Sequence, residues 1–361
     1  MGGKESMVEK KNNRVMGKKV NSLWLLDVFR GVSALLIVLY HYTTQYDKSI
    51  GHISNYALTF PWGCYAVYAF FMLSGFLIVY TYKDTFNIVS FLKKRFLRLY
   101  PMFWICMLVT TIYMSFIFPE RMPTVKQFLF NLTMFPTLFG STAIDGAYWT
   151  MPKEIIFYII FAIIAVMGGG QEKKKTKWLW LCLGIELICI AYCFSPFNLP
   201  AQWGIIFLTI PDYLYVFLAG CAVYYLNYTD NLQQKRMMIA FLLICILVCK
   251  YLCSINTFIF FVVSLCILIL CSKEKNNKKT EKLKRLLVPF IFLSDISYVL
   301  YLTHQFIGFG IIRMMEMHGM IAEFWIILPI AHAILLATIL HYGVELKINK
   351  MIKKRFANSI K

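Results

Sequence analysis

Residues 23–44 read LWLLDVFRGVSALLIVLYHYTT, an apolar run in which the ionisable side chains are Asp27, Arg30 and His41. A helix needs about 20 residues to cross the hydrocarbon of a bilayer, and this run is long enough. It exceeds the apolar part of a signal peptide, and no small-residue cleavage site follows it. The run therefore predicts a retained membrane helix.

The composition of the whole chain indicates a membrane protein. Of its 361 residues, 59% are hydrophobic and 15% charged, and the mean hydropathy is +0.63. A soluble domain carries about 25% charged residues, so an ordinary soluble enzyme is excluded. The net charge of +19 resides in short segments between apolar runs, and we therefore expect no nucleic-acid partner. The eleven cysteines form no Cys-x-x-Cys pair; we interpret them as packing residues and expect no metal.

The hydropathy pattern predicts an all-α polytopic membrane protein with about ten transmembrane helices. An even number of spans places both termini on one side of the membrane. The predicted spans lie near residues 23–44, 63–82, 99–118, 149–168, 178–194, 204–226, 237–254, 257–271, 287–315 and 321–343.

The distribution of Lys and Arg predicts the orientation in the membrane. Most of these residues fall in loops on the side of the two termini, which the positive-inside rule assigns to the cytoplasm. We expect a multi-pass protein of the cell membrane, with a disordered basic tail over 1–20, a membrane domain over 21–345 and a cytoplasmic basic tail over 346–361. The loops on the opposite side carry only Lys48, Arg121 and Lys126.

Ionisable residues inside a bilayer are costly and therefore mark candidate functional sites. Arg30 and His41 are eleven residues apart, which places them on one helix face about 16 Å apart along the axis. Asp27 lies near the same stripe. This polar seam predicts a site within the first helix. The alternative is an Asp27–Arg30 pair at the interface and a histidine with a structural role.

A second cluster contains Lys93, Lys94, Arg95 and Arg98 and is followed by Pro101. We predict an amphipathic cytoplasmic helix that breaks at the proline where the chain enters the membrane. Guanidinium groups on neighbouring turns suit phosphate oxygens. Attraction to lipid headgroups, or topogenic charge alone, is the alternative.

Two further clusters occur later in the chain. Trp149, Glu154 and Tyr158 fall at the predicted outer entrance of the fourth span, where a carboxylate needs a partner such as an arginine, a histidine or a sugar hydroxyl. A second set has the spacing of one helix face, although its members could simply bridge helices by hydrogen bonds. This set is Ser297, Tyr301 and His304. Gly75, in Ser74-Gly75-Phe76, is predicted to allow close approach of two helices.

Taken together, these motifs resemble the acyltransferase 3 family of integral-membrane acyltransferases, which modify cell-surface polysaccharides and related glycans. They occur in the order of the family and extend over about residues 22–345. The matching segments are DVFRG at 27–31 with His41 beyond it, FMLSGFL at 71–77, RFLRLYP at 95–101, WTMPKEIIFY at 149–158 and SYVLYLTH at 297–304.

The resemblance implies an acyl-CoA co-substrate on the cytoplasmic side, with acetyl the usual acyl group. The acceptor would be a hydroxyl of a cell-surface or lipid-linked polysaccharide. A hydroxyl needs a general base, and histidine titrates near neutral pH, so His41 is the predicted base and His304 the second candidate. Arg30 and Glu154 are the other predicted catalytic residues. The donor would bind Arg95, Arg98, Lys94 and Arg30, and the remaining substrate-cavity candidates are Asp27, Trp149, Tyr158, Ser297, Tyr301 and His304.

Some features depart from the family pattern. The usual Trp-Ser-Leu is Trp149-Thr150-Met151, and Glu345-Leu346-Lys347 lacks the usual proline. Some members carry a soluble hydrolase-like domain, and we expect this chain to work without a fused one. A transporter or flippase for lipid-linked glycan is the alternative function, and a haem-binding bundle a more distant one. The acyl chain, the acceptor, an acyl-enzyme intermediate, partner proteins and self-association are left open.

Overall fold

The computed structural model describes residues 23–53, 58–81, 87–167, 172–193, 213–273 and 278–358. Within these ranges all regular structure is helical and no strand occurs. The predicted all-α class is confirmed. The predicted tail over 1–20 lies outside the described residues, as does the part of the predicted span 204–226 that precedes residue 213.

The helices are numbered here in chain order. Two of them continue through π-helical turns: His41–Gln45 extends α1, and His341–Glu345 joins α12 to α13. The helices are α1 Trp24–Tyr40, α2 Ala66–Tyr80, α3 Ile88–Ile117, α4 Val125–Asn131, α5 Thr150–Met167, α6 Glu172–Cys193, α7 Leu214–Tyr228, α8 Leu232–Leu252, α9 Ile255–Cys271, α10 Lys278–Leu286, α11 Val288–Met317, α12 Ile327–Leu340 and α13 Leu346–Asn358.

Five helical stretches in the described part of the chain are long and apolar enough to cross a membrane. They are Trp24–Ser49, Pro61–Tyr80, Ile88–Ile117, Val288–Met317 and Glu323–Lys354. These stretches confirm the polytopic membrane class. The count of ten spans stays a prediction, since the other apolar helices are shorter, namely Leu179–Ile188, Leu214–Tyr228 and Ile255–Cys271.

Glycines bring α2 and α7 into backbone contact. A Cβ added at Gly75 would lie 1.9 Å from the Phe217 carbonyl oxygen, and one added at Gly220 would lie 1.9 Å from that of Met72. Small residues at a helix crossing allow this approach in a membrane, where packing rather than water drives association. The prediction for Gly75 is confirmed. Gly31 forms the same kind of contact between α1 and α11.

The predicted helix break at Pro101 is wrong. Helix α3 runs without interruption from Ile88 to Ile117 and contains the proline. A proline removes one backbone donor, a loss that neighbouring helices make tolerable in a membrane. The Tyr298 hydroxyl of α11 donates to a nearby carbonyl of α3, that of Leu99, at 2.8 Å and ties the two helices together beside the proline. Arg98 therefore lies inside a continuous helix rather than on a separate surface helix.

The segment before α5 packs against the middle of α11. The Tyr148 hydroxyl donates to the Leu302 carbonyl at 3.1 Å, and the Tyr301 hydroxyl donates to the Ala147 carbonyl at 2.8 Å. This segment therefore contacts the helix that carries three of the predicted site residues, Ser297, Tyr301 and His304.

Candidate functional site

A pair of histidines joins α11 to the π-helical turn that follows α1. His304 Nε2 lies 3.1 Å from His41 Nδ1, and the two rings meet edge to face with centroids 4.7 Å apart. His304 is fully buried, whereas His41 keeps part of its surface exposed. π-helical turns inside longer helices frequently occur at functional sites. The two candidate bases of the sequence are therefore one hydrogen-bonded unit.

A cavity of about 250 Å³ lies between α1, α2, α3, α5 and α11. Its wall combines apolar side chains of α2 with ionisable and hydroxyl groups from the other helices. Of the described residues, neither His41 nor His304 lines it. The polar lining residues are Arg30, Ser74, Arg98, Thr150, Glu154, Ser294, Asp295, Ser297, Tyr298, Tyr301 and Glu345.

The Tyr301 ring lies next to both the cavity and His304. It lines the cavity, and its ring centroid is 5.8 Å from that of His304. The Tyr301 hydroxyl accepts from Thr150 Oγ1 at 3.0 Å in addition to its bond to the Ala147 carbonyl. Tyr301 is therefore the residue that contacts both the cavity and the ring of His304.

Arg30 of α1 is held at the cavity wall by neighbours on two helices. Its Nε donates to Ser294 Oγ at 2.7 Å, and one terminal nitrogen lies 3.3 Å from Asp27 Oδ1. The Asp27–Arg30 pair that the sequence offered as an alternative therefore forms. Arg30 also faces the cavity, so the ion pair and a role in ligand binding are compatible.

Arg98 is the exposed cation of the cavity. Its side chain is solvent-accessible and lines the cavity. In the described ranges its guanidinium forms neither a hydrogen bond nor an ion pair. A charged fork without a direct hydrogen-bond partner is suited to an anionic ligand, and the nearby carboxylates of Glu154 and Glu345 on the same cavity balance part of its charge.

Arg95 has a different environment from Arg98. Its guanidinium carbon lies 5.2 Å from the Phe91 ring centroid and 5.1 Å from that of Tyr158, and a terminal nitrogen donates to Thr81 Oγ1 at 3.2 Å. Cation–π contacts of this kind fix a cation beside aromatic rings. Among the described residues Arg95 does not line the cavity. Lys93 and Lys94 are exposed on the preceding turn.

Glu154 lies on the same cavity as Arg98. Its Oε1 accepts a short hydrogen bond from the Tyr158 hydroxyl and a longer one, at 3.5 Å, from Ser74 Oγ. The sequence predicted Glu154 at the outer entrance of the fourth span, and that location in the membrane stays a prediction. The structure shows that Tyr158, four residues after Glu154, touches Arg95. Helix α5 packs alongside α3, so the two motifs meet at one level.

Of the other predicted residues, some line the cavity and some do not. Ser297 lines the cavity and donates to the Ser294 carbonyl at 2.7 Å. Trp149 is 40% exposed and packs edge to face on Phe71. The structure therefore brings Arg30, Arg98, Glu154, Ser297 and Tyr301 together on the cavity. The other seven predicted residues do not line it, namely Asp27, His41, Lys94, Arg95, Trp149, Tyr158 and His304.

Sequence reasoning missed three acidic positions at this site. Asp295 and Glu345 line the cavity, and Glu345 Oε2 lies 2.7 Å from His341 Nδ1 across the second π-helical turn. Asp145 is fully buried beneath α11. The run Ser294-Asp295-Ile296-Ser297 within an apolar span could have indicated this site. Polar residues on neighbouring turns of a membrane helix indicate a face that lines a water-accessible cavity. Asp145 carried no such signal, since it lies in an irregular segment.

The arrangement combines a hydrogen-bonded imidazole pair with a cavity lined by two arginines and three acidic side chains inside a helical membrane protein. Among the described residues no group of three or more His, Cys, Asp or Glu side chains could hold a metal ion. The fold and the site thus define a polytopic helical membrane protein with a polar cavity close to a buried histidine pair. The model of the acyltransferase 3 family, described as an acyltransferase domain, matches residues 23–343. The chain belongs to this family.

Curated relatives carry related names at low identity. Acyltransferase MdmB of Streptomyces mycarofaciens is 23% identical over 197 residues, covering 52% of this chain and 50% of its own. Peptidoglycan O-acetyltransferase OatA of Listeria monocytogenes is 21% identical over 236 residues, which cover 59% of this chain and 35% of OatA. Protein 2 in picA locus of Rhizobium radiobacter is 33% identical over 191 residues, which cover 46% of this chain and 93% of that protein. The chain thus spans half of MdmB and about a third of OatA. No solved structure gives a significant match.

Proposed function

We propose that this protein transfers an acyl group from acyl-CoA, bound from the cytoplasmic side, to a hydroxyl of a cell-surface or lipid-linked polysaccharide. The family supports acyl transfer, and the name of OatA favours acetyl as the group and a glycan as the acceptor. The observation that carries the proposal is Arg98, which makes no direct hydrogen bond or ion pair to the described residues, on a cavity whose lining includes Tyr301, 5.8 Å from the His304 ring.

The cavity suits the donor. Coenzyme A is anionic at its nucleotide end, and Arg98 offers a bidentate donor to phosphate oxygens. Arg95 and Lys94 lie on the same helix and add positive charge near the entrance. The amide N–H groups of the pantetheine arm would find acceptors in the cavity carboxylates, Asp295 and Glu345. The thioester at the end of that arm would then approach Tyr301 and the imidazoles.

The chemistry needs a base within hydrogen-bond reach of the acceptor hydroxyl. We assign it to His41, which is the partly exposed member of the pair. Its imidazole takes the hydroxyl proton while the oxygen attacks the thioester carbonyl carbon. The C–S bond breaks, and the departing thiolate receives the proton from the imidazolium. Arg30 would orient the thioester or stabilise the developing oxyanion, and Glu154 would bind the acceptor or orient a reacting group.

The test is acyl transfer by the purified full-length protein in nanodiscs, supplied with [14C]acetyl-CoA and a cell-envelope extract. We expect label in a polysaccharide or lipid-linked saccharide fraction, and mass analysis of surface glycan from cells with and without the protein should show the same acyl group. Movement of lipid-linked saccharide across the bilayer without any acyl transfer would instead support a transporter or flippase, whose polar cavity would look similar.

A further inference from the structure

The hydrogen bonds of His304 identify which of its ring nitrogens carries the proton. Its Nδ1 lies 2.9 Å from the Tyr301 carbonyl oxygen and 3.1 Å from that of Leu300. Carbonyl oxygens only accept hydrogen bonds, so Nδ1 must be the protonated nitrogen. In a neutral imidazole the other nitrogen then has a lone pair. The Nε2 atom that His304 turns towards His41 is therefore an acceptor.

The same reasoning applies to His41. Its Nδ1 faces two acceptors, His304 Nε2 at 3.1 Å and the Ile37 carbonyl oxygen at 2.9 Å. A lone pair on Nδ1 would face the lone pairs of both acceptors, which is unfavourable. A proton on Nδ1 can instead be shared between the two acceptors. The lone pair of a neutral His41 consequently lies on Nε2. Within the described residues Nε2 forms no hydrogen bond, so it is available to a substrate.

A third contact fixes the relative position of the two rings. Tyr42, the neighbour of His41 in the π-helical turn, donates from its hydroxyl to the His304 carbonyl at 2.8 Å. The Tyr42 ring packs against α11 at Gly308, where an added Cβ would lie 2.2 Å from that ring. The Tyr42 bond and the imidazole contact thus join the same two stretches of backbone. The alignment of the histidines is therefore built into the packing of α1 on α11.

We propose that His304 is a positioning residue for His41: its Nε2 holds the His41 proton on Nδ1 and leaves His41 Nε2 as the basic nitrogen. The proposal rests on the acyl-transfer function and specifies how its base is prepared. When His41 Nε2 takes the hydroxyl proton, the positive charge of the imidazolium is shared with the Nδ1–H that His304 accepts. His304 stays neutral throughout, because a second imidazolium 3.1 Å away would repel the first.

The test measures the nucleophilicity of His41 without any substrate. Purified full-length protein in nanodiscs is treated with diethyl pyrocarbonate, and carbethoxylation of the His41 peptide is followed by mass spectrometry. His304→Leu removes the side-chain acceptor and leaves the Ile37 carbonyl as the remaining partner of His41 Nδ1, and His304→Gln restores an amide oxygen near the position of the lost nitrogen. His332→Leu is the matched control, because His332 bonds to Tyr113 at 3.3 Å and lies outside the site.

We expect His304→Leu to slow carbethoxylation of His41 by roughly 10- to 100-fold, the range expected when a hydrogen bond to a charged group is lost. The kcat for acetyl transfer should fall by a similar factor while the KM for acetyl-CoA is unchanged. His304→Gln should recover most of both rates, and His332→Leu should match the wild type. A structural role for His304 would lower the melting temperature without this selective loss.

Three results would overturn or separate the proposals. Equal carbethoxylation of His41 in wild type and His304→Leu would overturn the positioning role, and so would faster modification of His304 than of His41. If carbethoxylation of His41 depends on His304 in a protein that transfers no acetyl group, the positioning role of His304 would be supported and the proposed function refuted. If His304→Leu fails to fold, Tyr42→Phe loosens the alignment while keeping both imidazoles and should slow carbethoxylation; an unchanged rate there would count against the proposal.

Discussion

The Asp145 carboxylate accepts a hydrogen bond from the main-chain N–H of Phe306 at 3.0 Å, although the two residues are 161 positions apart in the sequence. Its other oxygen accepts from the Ala147 N–H at 2.8 Å. The Ala147 carbonyl in turn accepts from the Tyr301 hydroxyl. One buried carboxylate thereby fastens the segment before α5 to the helix that carries Tyr301 and His304, and so helps to set the shape of the cavity wall.

This carboxyl group makes stability depend on pH. Burial raises the pKa of Asp145 to about 6, and the N–H donors of Phe306 and Ala147 oppose that rise. The unfolded chain releases the proton near pH 4. The folded form therefore holds an extra proton between about pH 4 and pH 6. We expect the free energy of unfolding to fall with rising pH across that window, by at most about 1.4 kcal/mol per pH unit from this group.

Asp145→Asn removes this titrating carboxyl group. The difference between wild type and variant therefore reports the contribution of Asp145 alone. The melting temperature of the wild type minus that of the variant should fall as the pH rises from about 4 to about 6 and then level off. Thermal melts in detergent across pH 4–8 provide the measurement. A difference that is constant over the whole range would show that Asp145 titrates alike in the folded and unfolded chains.

His41→Ala tests the proposed base. Loss of a positioned acid–base group should reduce acyl transfer by roughly 10²- to 10⁴-fold. Donor binding should persist, since Arg98 lies on the cavity and His41 does not. Transfer rates and acetyl-CoA affinity of the purified variant provide the measurement, with His332→Ala as the control. Retention of most turnover by a well-folded His41→Ala protein would remove His41 from the base role.

Arg98→Ala tests the donor site. A charge-assisted contact to phosphate contributes about 1.5–3 kcal/mol, so the KM for acetyl-CoA should rise roughly 10- to 100-fold. Arg95→Ala should raise it less, because that guanidinium is already occupied by the Phe91 and Tyr158 rings. Arg285→Ala, an exposed residue of α10, is the control for charge alone. Equal and small effects of all three changes would leave these arginines with a topogenic or lipid-binding role.

Gly75→Ala tests the α2–α7 contact. The added methyl would lie 1.9 Å from the Phe217 carbonyl oxygen, and backbone cannot move away as a flexible side chain can. Overpacking of this kind costs about 1–3 kcal/mol. We expect a lower melting temperature and lower yield. Gly184→Ala on α6 is the control, since nothing lies within 4 Å of a Cβ there, and an equal loss in both variants would argue against the contact.

Cysteine labelling tests the predicted orientation. With the reactive native cysteines replaced, Ser141→Cys in the segment between α4 and α5 should react with a membrane-impermeant maleimide on intact cells. Lys282→Cys, at an exposed position on α10, should react only after lysis. The positive-inside distribution of Lys and Arg is the physical basis of this expectation. The reverse pattern of labelling would invert the topology.

The sequence alone was sufficient for the class of fold and for several of the polar side chains that line the cavity. Apolar runs of membrane length predict helices whatever their neighbours, because the bilayer forces each run to satisfy its own backbone hydrogen bonds. The cost of an ionisable group in hydrocarbon singled out Arg30, His41, Glu154 and His304. Five of the predicted site residues, among them Arg30, Arg98 and Glu154, line the cavity.

The tertiary structure decided which of these residues meet. Helical periodicity defines the face of a residue, but it does not specify the neighbouring helix or its depth. His41 and His304 are 263 residues apart, and only the packing of α1 on α11 makes them a pair. Arg98 faces the cavity because α3 continues through Pro101, where a local rule predicts a break. Asp145 had no periodic signal at all, since its role depends on a backbone N–H of a distant helix.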